Sequence, residues 1–593
     1  MSISHHRILA IIVTLGVIQG LMLLLSHQLI KLNILSSDLV WWLPWLAVAV
    51  GVPTALQLVV TDGRDRRAWI FGLVLAGVLA LTGVYTGWSA YPGDTSSRDT
   101  VVMPYVFTMF CGWYVLLPFI QAYFKTNRIR PPYPDLFDFA WNNIIILIIA
   151  QVFTGIFWGL LALWAALFKV IGIAFFDQVF YNAYFAYPVL ATVFAFAIYV
   201  GRTQVHAVVT VRRIILAIFK GLLPLLAIII VLFLAALPFM GLKPLWATGT
   251  ATSLMLTLQI FLAIFLNAVY QDGGNAAPYP AWLRAAVRVA LIVLPIYTLL
   301  CAYALYLRID QHGWSTDRFW AVLLTIVVGL HVFGYAAAAL RRSPIWMAGI
   351  APVNIGIAAV VVMLAVLVNS PVIDARRISA HSQVARLYAG DITAARFDFD
   401  YLRFQLGKAG KVALEQLRDA KDHPEADKIR AGAQTALAKT DRWGPLTGSV
   451  TTEEELRSHL VLYPQGTAFD KNFLQYLLTR KDDWRIQHCV AVNQHCPVLA
   501  LDLDNDRVAE YVVFSSSNEW DQGAIVYAQR QQKWQEMGHL RLPVSARDVA
   551  SARDENNFLE QLEERLAKGD FAVVERPWRD VRIGTSKHQF NEH

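Results

Sequence analysis

The stretch FCGWYVLLPFIQAYFKTNRIRPPYPDLFDFAWNNIIILIIAQVFTGIFWGL, residues 110–160, decides how this chain folds. Two apolar runs flank a short polar break that carries Lys125, Arg128 and Arg130. A helix needs about 20 apolar residues to cross a bilayer, and each run extends to that length. Basic residues confined to the break between two such runs mark a loop held on one side of a membrane.

Outward from this stretch, the same alternation fills residues 1–370. Eleven spans are expected, at 8–26, 39–60, 69–90, 101–124, 141–168, 184–200, 214–238, 248–270, 286–308, 318–339 and 346–369. Every second break is basic. Arg7; Arg64, Arg66 and Arg67; Lys125, Arg128 and Arg130; Arg202, Arg212 and Arg213; Arg284 and Arg288; Arg341 and Arg342 make fourteen cations. The intervening breaks hold six: Lys31, Arg98, Lys169, Lys243, Arg308 and Arg318. Short loops rich in Lys and Arg stay in the cytoplasm. The N-terminus is therefore expected inside, and an odd number of crossings delivers everything after residue 370 to the far side, the periplasm of a bacterium. The first span has a basic start but no small-residue cleavage site after Leu25 and Ser26, so it reads as retained. The parity is weakest around 184–200 and the amphipathic stretch 169–183 before it.

Composition agrees with this division. The chain has 593 residues, 56% of them hydrophobic, and a net charge of +7. No glutamate precedes Glu415. Residues 1–369 hold 21 Lys and Arg against 11 Asp, whereas 370–593 hold 30 basic against 33 acidic residues. The positive charge belongs to the membrane part and lies in loops rather than on one face, so no nucleic-acid partner is expected; membrane lipids and envelope proteins are.

The 11 Asp of the membrane part all fall in loops or at span ends. Ion-coupled transporters place carboxylates or histidines within spans, where charge is costly. Here only Lys220 and His331 are ionisable within them. Lys220 can snorkel to the headgroups, and His331 suits a bond between helices. Asn142, Asn143, Gln151, Gln259, Asn267 and Asn354 can join helices in the same way. The pairs Gly83 with Gly87 and Gly155 with Gly159 would allow close helix approach.

The densest polar patch is the turn YALYLRIDQHGWSTDRFW, residues 303–320. Arg308, Asp310, His312, Trp314, Asp317 and Arg318 crowd around Gly313, and Ser315 or Thr316 can cap the next helix. One reading is a capped, salt-bridged hairpin. The other is a headgroup or substrate site in which Arg308 and Arg318 hold a phosphate. This turn, the later DFDYLRFQLGKAGKVALEQL (398–417) and the overall plan resemble a bacterial family catalogued as a domain of unknown function. Its members are polytopic inner-membrane proteins with a C-terminal extramembrane region. The resemblance implies that setting and supplies no catalytic residues.

The fold expected is an α-helical polytopic membrane bundle over 1–370, then a soluble region that is helical (371–485) and afterwards α+β (486–593). Helices are expected at 374–388, 398–420, 425–440, 453–462 and 467–480, with Thr452 and Glu455 forming a capping box. Strands follow at 497–503, 509–516, 523–530 and 534–542, then a helix at 553–568 and a strand at 571–575. Cys489 and Cys496, in HCVAVNQHCPVLALDLDND, suit a short disulfide-closed loop in an oxidising compartment. Reduced thiols holding a metal with His488 and His495 are the rival, on a spacing unusual for zinc. Asp502, Asp504, Asp506 and Glu510 take positions one, three, five and nine of a loop similar to the calcium loops of propeller-type repeats. Arg507 stands where such loops carry glycine, so calcium, the one cofactor in view, competes with a plain acidic turn.

No zinc-protease HExxH, nucleophile-elbow GxSxG, Walker loop or dinucleotide fingerprint is present. The leading expectation is a non-enzymatic envelope assembly or homeostasis protein with a periplasmic interaction domain. A transporter or flippase of an amphipathic or lipid-linked substrate is the alternative, and an enzyme acting on lipid-linked substrates is a third.

Overall fold

The computed structural model describes residues 3–32, 39–90, 95–241, 250–273, 279–341, 346–439, 452–480, 495–514, 523–531 and 533–541, with short pieces at 483, 486, 489, 565–569, 571, 581–583 and 586–588. Among the described residues, eleven helices are long and apolar enough to cross a membrane. They are α1 (Ile3–Lys31), α2 (Leu39–Val59), α3 (Arg66–Ser89), α4 (Thr95–Thr126), α5 (Tyr133–Val170), α7 (Ala183–Thr203), α8 (Val205–Met240), α9 (Ala251–Tyr270), α10 (Ala281–His312), α11 (Thr316–Leu340) and α12 (Ile350–Leu367). The short α6 (Phe175–Phe180) fills part of the amphipathic 169–183 stretch. Each expected span is one of these helices, several of them longer by a turn or more. Side-chain oxygens of Asp65, Asn182 and Ser315 accept amide hydrogens at the starts of α3, α7 and α11.

The chain divides into two compact units, Met1–Leu437 and Ala438–His593. In the first, the crossings build two apolar cores. One gathers Leu43, Leu79, Tyr105, Trp113, Ile145 and Ile198 from α2–α5 and α7. The other gathers Leu223, Leu262, Leu291, Tyr297, Val332 and Ile350 from α8–α12. Large apolar side chains such as Leu73, Leu160 and Leu232 point outward, as they do when the surrounding solvent is lipid. Close approach between α2 and α3 depends on missing side chains. A Cβ on Gly87 would meet the Leu39 carbonyl oxygen at 2.3 Å, and one on Gly83 would meet Pro44 Cα at 2.7 Å. Gly155 and Gly159 face open space and join nothing.

Contacts at the two ends of the bundle define the course of α7. At one end, the Arg202 guanidinium in the last turn of α7 donates to the Gln57 and Val60 carbonyls at the end of α2 (2.6 and 2.8 Å), and Arg212 of α8 pairs with Asp138 of α5 at 2.7 Å. At the other end, Tyr187 near the start of α7 meets His27 near the end of α1. So α7 runs the full length of the bundle. Beside residue 370, Asn369 Nδ2 donates to Thr108 Oγ1 of α4 at 2.7 Å.

Four further helices complete the first unit: α13 (Ala375–Ala389), α14 (Phe399–Gln405), α15 (Gly407–Arg418) and α16 (Ala426–Ala438). They close over a core of Leu387, Leu402, Leu406, Leu414, Leu417 and Ile429. The helix expected over 398–420 is broken at Leu406, because Gly407 takes a φ of +55° and packs on the bundle. A Cβ there would meet the Ser89 carbonyl oxygen at 2.4 Å.

The second unit holds α17 (Glu453–Ser458), β1 (Leu460–Tyr463), α18 (Lys471–Thr479), β2 (Cys496–Leu501), β3 (Glu510–Phe514), β4 (Gly523–Arg530) and β5 (Lys533–Arg541), with β6 (Val581–Ile583) and β7 (Ser586–His588) as a separate pair. The main sheet runs β1-β2-β3-β4-β5; β1 is parallel to β2 and the rest are antiparallel. Its core centres on Phe473, Tyr511, Tyr527 and Trp534. The helix expected over 453–462 stops at Ser458, since Leu460–Tyr463 is drawn into the sheet beside β2. That pairing places residues 453–479 in the sheet unit, which begins at Ala438. The helix expected at 553–568 and the strand at 571–575 lie mostly outside the described residues.

Candidate functional site

The turn over residues 303–320 is the first sequence-derived site, and the helices that follow the bundle cover it. Gly313 ends α10 with a φ of +70°, and a Cβ there would meet Arg386 Cδ at 2.7 Å. Around it, the Trp314 amide donates to Ser382 Oγ (3.0 Å) and the Thr316 amide to the Tyr401 hydroxyl (3.0 Å). Gln383 Nε2 donates to the His312 and Trp314 carbonyls (3.0 and 2.8 Å), and Arg386 Nη2 to the Gln311 carbonyl (2.6 Å). Arg318 turns its Nη1 inward to the Gly313 carbonyl at 2.8 Å. Arg308, Asp310, His312 and Asp317 keep exposed positions, with Trp314 and Arg318 half-buried. The turn is thus a seat for α13 and α14. Nothing in the sequence of the turn announces Ser382, Gln383, Arg386 or Tyr401, which reach it from 68 to 85 positions away.

A second site lies inside the bundle, at the junction of the two cores. A cavity of about 230 Å³ is lined by apolar side chains of α4, α5 and α12, including Pro118, Phe119, Phe137, Trp141 and Ala358. One end of it is polar. Asn354 Nδ2 donates to Asn267 Oδ1 (2.5 Å), Asn267 Nδ2 to the Tyr335 hydroxyl (2.7 Å), and that hydroxyl to Asn354 Oδ1 (2.6 Å). Asn354 Nδ2 also donates to the Tyr133 hydroxyl at 2.8 Å. The two asparagines join helices as their placement within spans suggests. Their phenol partners escape a search for polar residues, because tyrosine reads as aromatic filling.

The third site is the acidic loop between β2 and β3. Carboxylate oxygens of Asp502, Asp504 and Glu510 lie within 4.8 Å of one another. Asp506 stands apart from that group and takes the Val508 amide at 2.7 Å. The Asp502 carboxylate accepts the Asp506 and Arg507 amides (3.1 and 2.9 Å), and Glu510 accepts the Leu503 amide at 2.6 Å. Arg507 adopts the left-handed backbone, φ +70°, that a glycine would take freely. Glu510 is buried, and burial, reinforced by Asp504 and Asp506, pushes its carboxyl above the usual range. The loop is closed by its own amides. At the other end of β2, Cys496 is joined to Cys489 in a disulfide with a Cα separation of 5.1 Å, and both lie in the sheet's core. Cys111 and Cys301, both on membrane helices, are free thiols.

A bundle of eleven membrane helices, capped at one end by a helical region and followed by a small sheet unit, defines a multi-pass helical membrane protein. Residues 13–417 match the family model described as Domain of unknown function (DUF4153), and the chain belongs to that family. The match spans nearly all of the first unit and stops short of the sheet unit. No curated protein and no solved structure matches the chain.

Proposed function

We propose that this chain is a non-enzymatic protein of the bacterial inner membrane, with a cytoplasmic N-terminus. In this reading, the bundle anchors a periplasmic interaction region that serves envelope assembly or homeostasis. The observation that carries it is the seating of α13 and α14 on the outer turn. That end of the bundle holds a folded protein surface, where a substrate entry or a catalytic cleft would leave the turn open. Fourteen cations against six support the orientation, and the Cys489–Cys496 disulfide suits the oxidising compartment it implies. Partners on this reading are bilayer lipids and other envelope proteins.

A photo-crosslinking residue at exposed Gln416 or Glu454 tests the proposal in living bacteria. Discrete adducts with an envelope protein are expected. The purified chain in proteoliposomes is expected to move fluorescent lipid no faster than protein-free vesicles do. Rapid lipid movement without adducts would replace this reading with the flippase.

A further inference from the structure

The cavity between the two cores has a chemistry of its own, independent of the scaffold reading. Of the polar side chains that line it, Asn354 and Asn267 form a closed cycle with the Tyr335 hydroxyl, and Tyr114 donates to the Ala140 carbonyl at 2.9 Å. Tyr133 stands outside that cycle and only accepts, from Asn354. Its own hydroxyl hydrogen has no acceptor among the described residues, and its ring lines the cavity. A donor left unused in apolar surroundings is costly, so the site is complementary to a ligand acceptor. Among the described residues, no charged side chain lines the cavity. The acceptor it suits is therefore uncharged.

Depth narrows the ligand further. Tyr133 opens α5, two and five residues before Asp135 and Asp138, which pair with Lys125 and Arg212. Those ion pairs mark the polar boundary of the bundle. The walls then run inward: Trp141 and Ala358 each lie eight residues into their helices, about 12 Å at 1.5 Å per residue. An uncharged acceptor at the boundary with an apolar tail pointing to the bilayer centre describes the ester end of a glycerolipid chain. We infer that this cavity holds one acyl chain of a bilayer glycerolipid, with the Tyr133 hydroxyl donating to its ester carbonyl. The lipid fills the junction between the two helical cores and ties them together.

The test uses the full-length protein in vesicles of phosphatidylethanolamine and phosphatidylglycerol. A trace of phosphatidylethanolamine carrying a diazirine on one acyl chain is added, and adducts are mapped by peptide mass spectrometry. Adducts are expected to concentrate on 114–119 and 354–358. Excess ester-linked lipid should compete them away, and ether-linked lipid, which lacks the carbonyl, should compete about five-fold less well. Tyr133→Phe should erase the ester preference. Ala358→Trp should remove the cavity adducts while labelling of the exposed 152–167 face persists, which shows that the bundle is still folded. Equal labelling of cavity and perimeter, or equal competition by ester and ether lipids, would overturn the inference.

Discussion

Asp374 stands where the last crossing hands over to the extramembrane helices. Its carboxylate accepts the Arg376 and Arg377 amides at the start of α13 (2.9 and 3.4 Å) and the Tyr85 hydroxyl of α3 (2.8 Å). It also faces the buried Arg376 guanidinium at 3.6 Å, whose Nη2 donates to Ser89 Oγ. Removing one partner of a buried pair leaves the other charge uncompensated, which is worth far more than the pair's net contribution. Asp374→Ala is accordingly expected to destabilise the first unit by about 3 kcal/mol, read as a lowered thermal midpoint of the detergent-solubilised protein. Arg376→Met leaves the Asp374 carboxylate with the Tyr85 hydroxyl and two backbone amides as donors, and should cost less in the same assay. None of this is visible in sequence, where Asp374 is one more acid beyond a span. The partners Tyr85 and Ser89 lie 289 and 287 positions away, and only the fold brings them together.

Among the elements, the helices that cross were legible because an unbroken apolar run of about twenty residues finds enough apolar surroundings only in a bilayer core. Their pairings were less so. The two glycine pairs look alike as text, yet only Gly83 and Gly87 meet a neighbouring backbone. Gly87→Ala forces α2 and α3 apart and is expected to cost about 1–3 kcal/mol; Gly155→Ala meets nothing and should leave the thermal midpoint unchanged or slightly raised. Fluorescence-detected size exclusion after heating separates the two outcomes. In the tail, the sheet overrode a local pattern. Leu460–Tyr463 continues the apolar rhythm of the preceding helix, and the reason it turns into a strand is β2, thirty-six positions downstream. The break at Gly407 has a similar origin, since close approach to Ser89 requires a residue without Cβ.

At the scale of the whole molecule, the apolar runs of residues 1–370 announced the eleven long helices. They could not show that α13–α16 belong to the bundle. The rise in charged residues after 370 looks like the edge of a separate domain. The compact unit that holds the bundle continues past it to Leu437. The acidic loop and the disulfide were readable because their residues are close in sequence. The covered turn and the lipid cavity were not, because each is assembled from helices far apart in the chain. Everything proposed about function rests on the far side of the membrane receiving residues beyond 370. A single cysteine at exposed Lys421, in a Cys111→Ser, Cys301→Ala background, tests this in intact bacteria with a membrane-impermeant maleimide. Labelling before the inner membrane is permeabilised is the predicted result; labelling only afterwards would contradict the orientation and the function built on it.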